Sequence, residues 1–73
     1  MNLSDLKAGQ SAVVKGFLCK DSMRIRLMEM GFTEGAKVKC TMVSPLGDPT
    51  AFFVCGAVIA LRKNDAKNVI CSA

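Results

Sequence analysis

Four cysteines are the residues of this chain most able to do chemistry, as metal ligands, disulfide partners or nucleophiles. They are Cys19, Cys40, Cys55 and Cys71, with no Cys-x-x-Cys pair among them, and the chain contains no histidine. A zinc site usually draws two ligands from one tight turn, and a catalytic thiol needs a base beside it. The spacing therefore predicts reduced, buried cysteines that pack as small apolar side chains. Convergence of all four thiols on one metal ion stays the alternative.

The remaining polar residues do not form the pattern of an enzyme. No turn carries the paired carboxylates that acid–base catalysis requires, and nothing resembles the Gly-x-x-x-x-Gly-Lys-Ser/Thr phosphate loop. Ferrous iron prefers imidazole and carboxylate ligands, so we expect no dedicated metal site and no cofactor. Weak binding of Fe²⁺ or Zn²⁺, as in a metal-sensing module, stays open. The chain is expected to be a non-enzymatic binding module.

Length and composition predict one domain over residues 1–73, with 51% hydrophobic residues available to build a core. No apolar run reaches the roughly 18 residues of a membrane helix. Asp5 and Lys7 are charged and lie where a signal peptide would have its apolar core. A soluble, cytoplasmic protein is therefore expected. The net charge of +4 permits an acidic partner or a nucleic acid. A small basic barrel that binds nucleic acid is an alternative, although no Tyr or Trp is present to stack on bases.

The elements that must position these residues are short and separated by glycine and proline. Alternating apolar residues predict strands at about 11–18, 36–44, 50–55, 57–62 and 69–71. A helix is expected from a cap at Asp21 to about Met30, where Gly31 ends it, and Asn64 or Asp65 can cap a single helical turn. The fold class is mainly β: a small, closed or nearly closed barrel of about five strands, with one short helix after the first strand.

Helical spacing divides the predicted helix into a core stripe and a second group. Met23, Leu27 and Met30 share the stripe that should be buried. Ile25 and Met28 are apolar but lie off that stripe, beside Arg24 and Arg26. Because methionine and arginine are favoured at contact surfaces, Arg24, Ile25, Arg26 and Met28 are the candidate partner-binding residues. The alternative is that neighbouring loops cover Ile25 and Met28.

Adjacent Phe52 and Phe53 fall within one predicted strand, so their side chains must point to opposite faces. One ring can fill the core. The other then needs a covering element or a partner.

The turns and their spacing make the chain resemble the ferrous-iron transport protein A (FeoA) family. The resemblance covers about residues 3–71 and is carried by an ordered set of turn and core residues, namely Leu3, Leu6, Gly9, Arg26, Leu27, Met30, Gly31, Gly35, Val38, Pro45, Gly47, Asp48, Pro49, Gly56, Leu61, Arg62, Ala66 and Ile70. One departure is Glu34, where the family commonly has a proline before the turn glycine. Proline would preset the first central position of that turn.

The resemblance implies an SH3-like β-barrel with a helix inserted after the first strand. It also implies a cytoplasmic accessory of bacterial ferrous-iron uptake. The expected partner is the cytosolic GTP-binding portion of the membrane transporter, ferrous-iron transport protein B. Through that partner the protein is expected at the inner face of the membrane, without inserting into it.

Overall fold

A computed structural model describes all residues from Met1 to Ala73 and contains the five predicted strands with the predicted helix after the first. A 3-10 turn at the N-terminus, Leu3–Asp5, precedes them. The elements in chain order are β1 (Ser11–Phe17), α1 (Asp21–Glu29), β2 (Lys37–Val43), β3 (Thr50–Val54), β4 (Ala57–Leu61), α2 (Lys63–Ala66) and β5 (Val69–Ser72). The predicted bounds of the strands therefore hold to within a residue or so.

The strands form one antiparallel sheet in the order β4-β3-β2-β1-β5. Sequential strands pair as neighbours, and β5 returns to pair with β1. The sheet is barrel-like but not closed, since β4 and β5 stay unpaired with each other at its two edges. The mainly β, SH3-like prediction is confirmed, with an open seam where full closure would have removed both edges.

One core of 14 residues lies inside the curved sheet, and all of them are hydrophobic. In β2, Val38 and Cys40 are fully buried while Lys37 and Lys39 are exposed, as the alternation predicts. Phe52 is fully buried, and its ring meets that of Phe32 edge-to-face with 6.3 Å between centroids. Burial of each such ring contributes about 1.5–3 kcal/mol to folding.

Helix α1 buries the predicted stripe, but its first turn differs from the prediction. Leu27 is fully buried, and Met23 and Met30 pack partly buried against the core. Asp21 is not the cap: it is the first helical residue, its φ is +58°, and no side chain caps the helix at Lys20. The chain reverses from β1 into α1 within a few residues. The left-handed backbone of Asp21 makes that reversal possible, and aspartate is among the few residues that tolerate this conformation.

The predicted stop of α1 at Gly31 is confirmed in detail. Gly31 has φ +107°, and its N–H donates to the carbonyl of Met28 at 3.0 Å. The N–H of Phe32 donates to the carbonyl of Leu27, also at 3.0 Å. These two bonds are those of a Schellman motif, whose usual apolar contact is provided here by two buried residues, Leu27 and Phe32. The motif aims Phe32 into the core.

The cap of α2 is also different from the prediction. Neither Asn64 nor Asp65 caps the helix; the N-cap residue is Arg62, which makes no side-chain cap bond. The N–H of Lys63 donates instead to the Asp48 carboxylate, which belongs to the β2–β3 turn. A local cap was expected because capping is usually local. The folded chain supplies the acceptor from a distant turn.

Candidate functional site

The outer side of α1 leaves the two questioned apolar residues open to solvent. Ile25 is 57% exposed and Met28 is 39% exposed. Neighbouring loops therefore do not cover them, which was the alternative. Successive residues of an α-helix are about 100° apart, so Ile25 lies about 160° round the helix from buried Leu27. Ile25 is therefore the outermost residue of α1.

The four candidate residues do not all share one face. Arg24 and Met28 are one turn apart and lie beside Ile25, on the side that faces the end of β1. The surface formed by Arg24, Ile25 and Met28 is the α1 crest. Arg26 lies about 100° from Ile25 on the other side of the crest. The structure therefore brings Arg24, Ile25 and Met28 together and leaves Arg26 at the opposite margin.

The Arg24 side chain lies over an aromatic ring. Its guanidinium carbon lies 5.9 Å from the centroid of the Phe17 ring, within the range of a cation–π contact. Phe17 is the last residue of β1, and α1 begins four residues later, so the short connection brings the two side chains together. The contact orients the Arg24 side chain and reduces the entropy it would lose on binding a partner.

A surface cavity of about 320 Å³ lies beside Arg24 and Met28. It opens between the end of β1, the start of α1 and the turn that precedes β2. Its lining combines apolar and charged groups, and the residues are Gly16, Phe17, Cys19, Lys20, Arg24, Met28 and Glu34. Two cations and one carboxylate border it. An acidic or apolar side chain of a partner could enter there, whereas no catalytic pair is present.

Sequence reasoning missed most of this cavity. The register of β1 against β5 shifts between Val14 and Gly16, as at a β-bulge. Just beyond the shift, Phe17 at the end of β1 contacts Arg24 of α1. Phe17, Cys19 and Lys20 gave no signal of a site, because their neighbours across the cavity come from elements that only folding brings near.

The prediction of buried cysteines holds for two of the four, because Cys19 is only half-buried and Cys55 is exposed. All four are free thiols, and Cys40 and Cys71 are buried. Burial raises the pKa of both thiols above the ordinary value of 9.0. At Cys40 a backbone hydrogen bond from Met42 lowers the pKa by less than burial raises it. Both thiols stay protonated and pack as small apolar side chains. Cys55 is exposed, at φ +50° in the β3–β4 turn, because the chain reverses there.

No three residues among the His, Cys, Asp and Glu of the chain come together in a way that could hold a metal ion. The four thiols therefore do not converge on a common centre. As for the bilayer, none of the helices has the length and apolar character needed to cross it.

Comparison with known proteins identifies relatives along the whole chain. The family model described as the FeoA domain matches residues 1–73. A Fe(2+) transport protein A/Fe(2+) transporter FeoB fusion protein from Porphyromonas gingivalis is 32% identical over 69 residues. That match takes in 94% of this chain but only 8% of the fusion protein, so this chain spans a small part of its length.

Solved structures agree with the fold. The FeoA protein from Chlorobium tepidum superimposes with a TM-score of 0.90 and 38% identity, covering 99% of this chain and 69% of that one. FeoA from Stenotrophomonas maltophilia, described as an SH3 domain protein and solved in complex with zinc, gives a TM-score of 0.86 and 36% identity. The superposition covers 99% of this chain and 89% of the Stenotrophomonas maltophilia chain.

Proposed function

Because this chain belongs to the FeoA domain family, we propose that it is a cytoplasmic, non-enzymatic accessory of ferrous-iron uptake that docks on the cytosolic GTP-binding portion of the ferrous-iron transporter. The observation that carries the proposal is the solvent-exposed crest of α1, an apolar surface beside a cavity that two cations and one carboxylate border. Ferrous iron is the cargo of the system in this view. This chain acts on the transporter and holds no iron of its own.

The fusion protein from Porphyromonas gingivalis supports the choice of partner. It joins, by its name, an Fe(2+) transport protein A and an Fe(2+) transporter FeoB in one polypeptide. A covalent link gives two modules a high effective concentration for each other, which is useful when they work in contact. Where the two modules are not fused, the same contact would form by binding.

The composition of the α1 crest supports protein docking. Ile25 and Met28 offer exposed apolar area, and Arg24 adds a cation already oriented on Phe17. Methionine and arginine are enriched in protein interfaces, and an apolar anchor with an oriented charge is typical of an energetic centre. Arg26, at the margin, contributes less. Lys20 and Arg24 at the cavity rim favour an acidic or apolar segment of the transporter.

The experiment is a binding titration of this chain against the isolated cytosolic portion of its transporter. We expect Ile25→Asp and Met28→Asp together to weaken binding at least about tenfold, since each places a carboxylate in an apolar contact. Leu46→Asp is the matched control, because Leu46 is 93% exposed on the β2–β3 turn, away from α1. Unchanged affinity for the α1 double variant, with its amide NMR spectrum still dispersed, rejects this surface.

A second measurement addresses the absence of enzymatic activity. The chain alone should release no phosphate from GTP, because it has no loop to hold the triphosphate. An Arg24→Ala variant tests whether the oriented guanidinium affects the partner's GTP turnover, as an arginine donated in trans can do. If the variant changes the partner's GTP turnover only as far as it weakens binding, Arg24 contributes to docking and not to the hydrolysis step.

A further inference from the structure

The outward face of the sheet carries lysines and apolar side chains but no carboxylate. Lys15 in β1 and Lys37 and Lys39 in β2 are exposed, and they are the charged residues of the five strands. All six Asp and Glu residues lie in helices and turns. This distribution gives the sheet a face whose every charge is positive.

Strand register places apolar and cationic side chains of this face in one row. Phe53 pairs with Lys39 of β2 on one side and with Val58 of β4 on the other. Cross-strand partners lie on the same face, about 5 Å apart, so the row from Val58 to Lys39 is about 10 Å long. Phe53 is 46% exposed and Val58 is 63% exposed. Met42, paired with Ala51, continues the apolar surface along β2.

A shallow depression of about 400 Å³ lies in this face, lined by Ser11, Lys37, Lys39 and Phe53. Phe53 and both lysines therefore border the same space. Strand β4 borders the apolar side and is an edge of the sheet. Nothing within the chain covers Phe53 and Val58.

We propose that this sheet face, defined by Lys37, Lys39, Phe53, Val58 and Met42, rests on an anionic lipid bilayer. The apolar side chains would enter the boundary between headgroups and acyl chains, and the lysines would lie over anionic headgroups. Apolar residues flanked by lysine are typical of proteins that lie on a membrane surface. Anionic leaflets attract lysine over a distance of about one Debye length.

The type of cation distinguishes a bilayer from a protein partner. Protein interfaces are enriched in arginine and depleted in lysine. The α1 crest has arginine and methionine, whereas the charges of the sheet face are lysines throughout. The two surfaces share no residue, so the bilayer proposal stands or falls separately from docking on the transporter.

Other occupants fit this face less well. A second copy would bring two sets of lysines together, and like charges in close contact are repulsive. A single-stranded nucleic acid would stack successive bases on several aromatic rings, and Phe53 is the one ring on this face. A flat, anionic and deformable surface complements both the charge and the apolar row.

The test is co-sedimentation of the full chain with vesicles. We expect association with vesicles of phosphatidylglycerol and phosphatidylethanolamine, none with pure phosphatidylcholine, and strong weakening when salt rises from about 0.1 M to about 1 M. Lys37→Gln with Lys39→Gln should lower the partition coefficient about 30-fold, since each lysine near an anionic surface contributes roughly fivefold. Phe53→Ser should lower it about tenfold at either salt concentration.

Two variants serve as matched controls. Lys63→Gln with Lys67→Gln removes the same charge from α2 and its C-cap, and Leu18→Ser removes an apolar side chain that is 68% exposed beyond β1. Both should bind vesicles as the unaltered protein does. If Phe53→Ser perturbs the amide NMR spectrum, Val58→Ser at the sheet edge replaces it as the apolar test.

Several results would overturn the proposal. One is no association with anionic vesicles. Another is an equal loss in the α2 lysine variant, which would show that only net charge acts. A dimer in sedimentation velocity that Phe53→Ser converts to monomer would assign the face to a second copy, and tight binding of oligothymidylate lost in the Lys37/Lys39 variant would assign it to nucleic acid.

Discussion

The Asp48 carboxylate accepts a hydrogen bond from the backbone N–H of Lys63 at 2.8 Å, although 15 residues separate them. It joins the β2–β3 turn to the first turn of α2, whose N-cap residue, Arg62, makes no side-chain cap hydrogen bond. The free amides at a helix start favour an acceptor with negative charge. Asp48 is therefore both a turn residue and the cap of a helix in another part of the chain.

Removing this cap should cost stability without changing the fold. We expect Asp48→Ala to lower the free energy of unfolding by about 1 kcal/mol, as is usual for loss of a capping side chain. Asp48→Asn keeps a side-chain oxygen in the same place and should lose much less. Urea unfolding of the three proteins makes the comparison. Equal losses in both variants would assign the effect to the charge of Asp48.

Gly31 should tolerate alanine poorly, for two separable reasons. Its φ of +107° is unfavourable for any residue with a Cβ, and an added Cβ would lie 3.2 Å from the Cβ and Sγ of Cys55. Gly9 is the matched control, since it has φ +90° and open space around a Cβ. Gly9→Ala should cost about 1–2 kcal/mol from the backbone alone. Gly31→Ala should cost more, and a melting temperature no lower than that of Gly9→Ala contradicts the contact.

Glu34→Pro should stabilise the protein. The N–H of Ala36 donates to the carbonyl of Thr33 at 2.9 Å, and Gly35 has φ +89°, so the glutamate occupies the first central position of a glycine turn. Proline presets φ there and restricts the unfolded chain, which should add about 0.4–1 kcal/mol. Glu34→Ala should be nearly neutral in the same denaturation experiment. A lower midpoint for the proline variant would mean that the Glu34 N–H is needed.

The two buried thiols should make stability fall at alkaline pH. Burial raises the pKa of Cys40 and Cys71 above 9.0 in the folded protein. The stability that they contribute is complete below the pKa of the unfolded chain and is lost as pH rises through the folded value, because between the two pKa values only the unfolded chain ionises. The free energy of unfolding should decline above about pH 9, and less steeply in Cys40→Ala.

The same burial should separate the thiols by reactivity. At pH 8 an alkylating reagent should label Cys55 rapidly, since its side chain is exposed, and leave Cys40 and Cys71 unlabelled until the protein unfolds. Peptide mass spectrometry after timed alkylation gives the order. Rapid labelling of Cys71 in the folded state would show that β5 opens readily at the sheet edge.

Local patterns were sufficient for most of the fold. Alternation in β2 assigned Val38 and Cys40 to the core, and Gly31 ended α1 where it was expected. These features depend on neighbours within a few residues, so a sequence contains them directly. The two misplaced caps, at Asp21 and at α2, have the opposite character. Each was assigned to a local side chain, and in each the chain's path through space decided otherwise.

The candidate site divides in the same way. The sequence by itself determined that Ile25 and Met28 lie off the core stripe and that Phe52 and Phe53 face opposite sides, because helix and strand periods are fixed by backbone geometry. Only the tertiary structure decided that nothing covers Ile25, that Arg24 rests on Phe17, and that Phe53 lies in a row with Lys39 and Val58. Those relationships join residues that are distant along the chain, and they arise from packing and strand register.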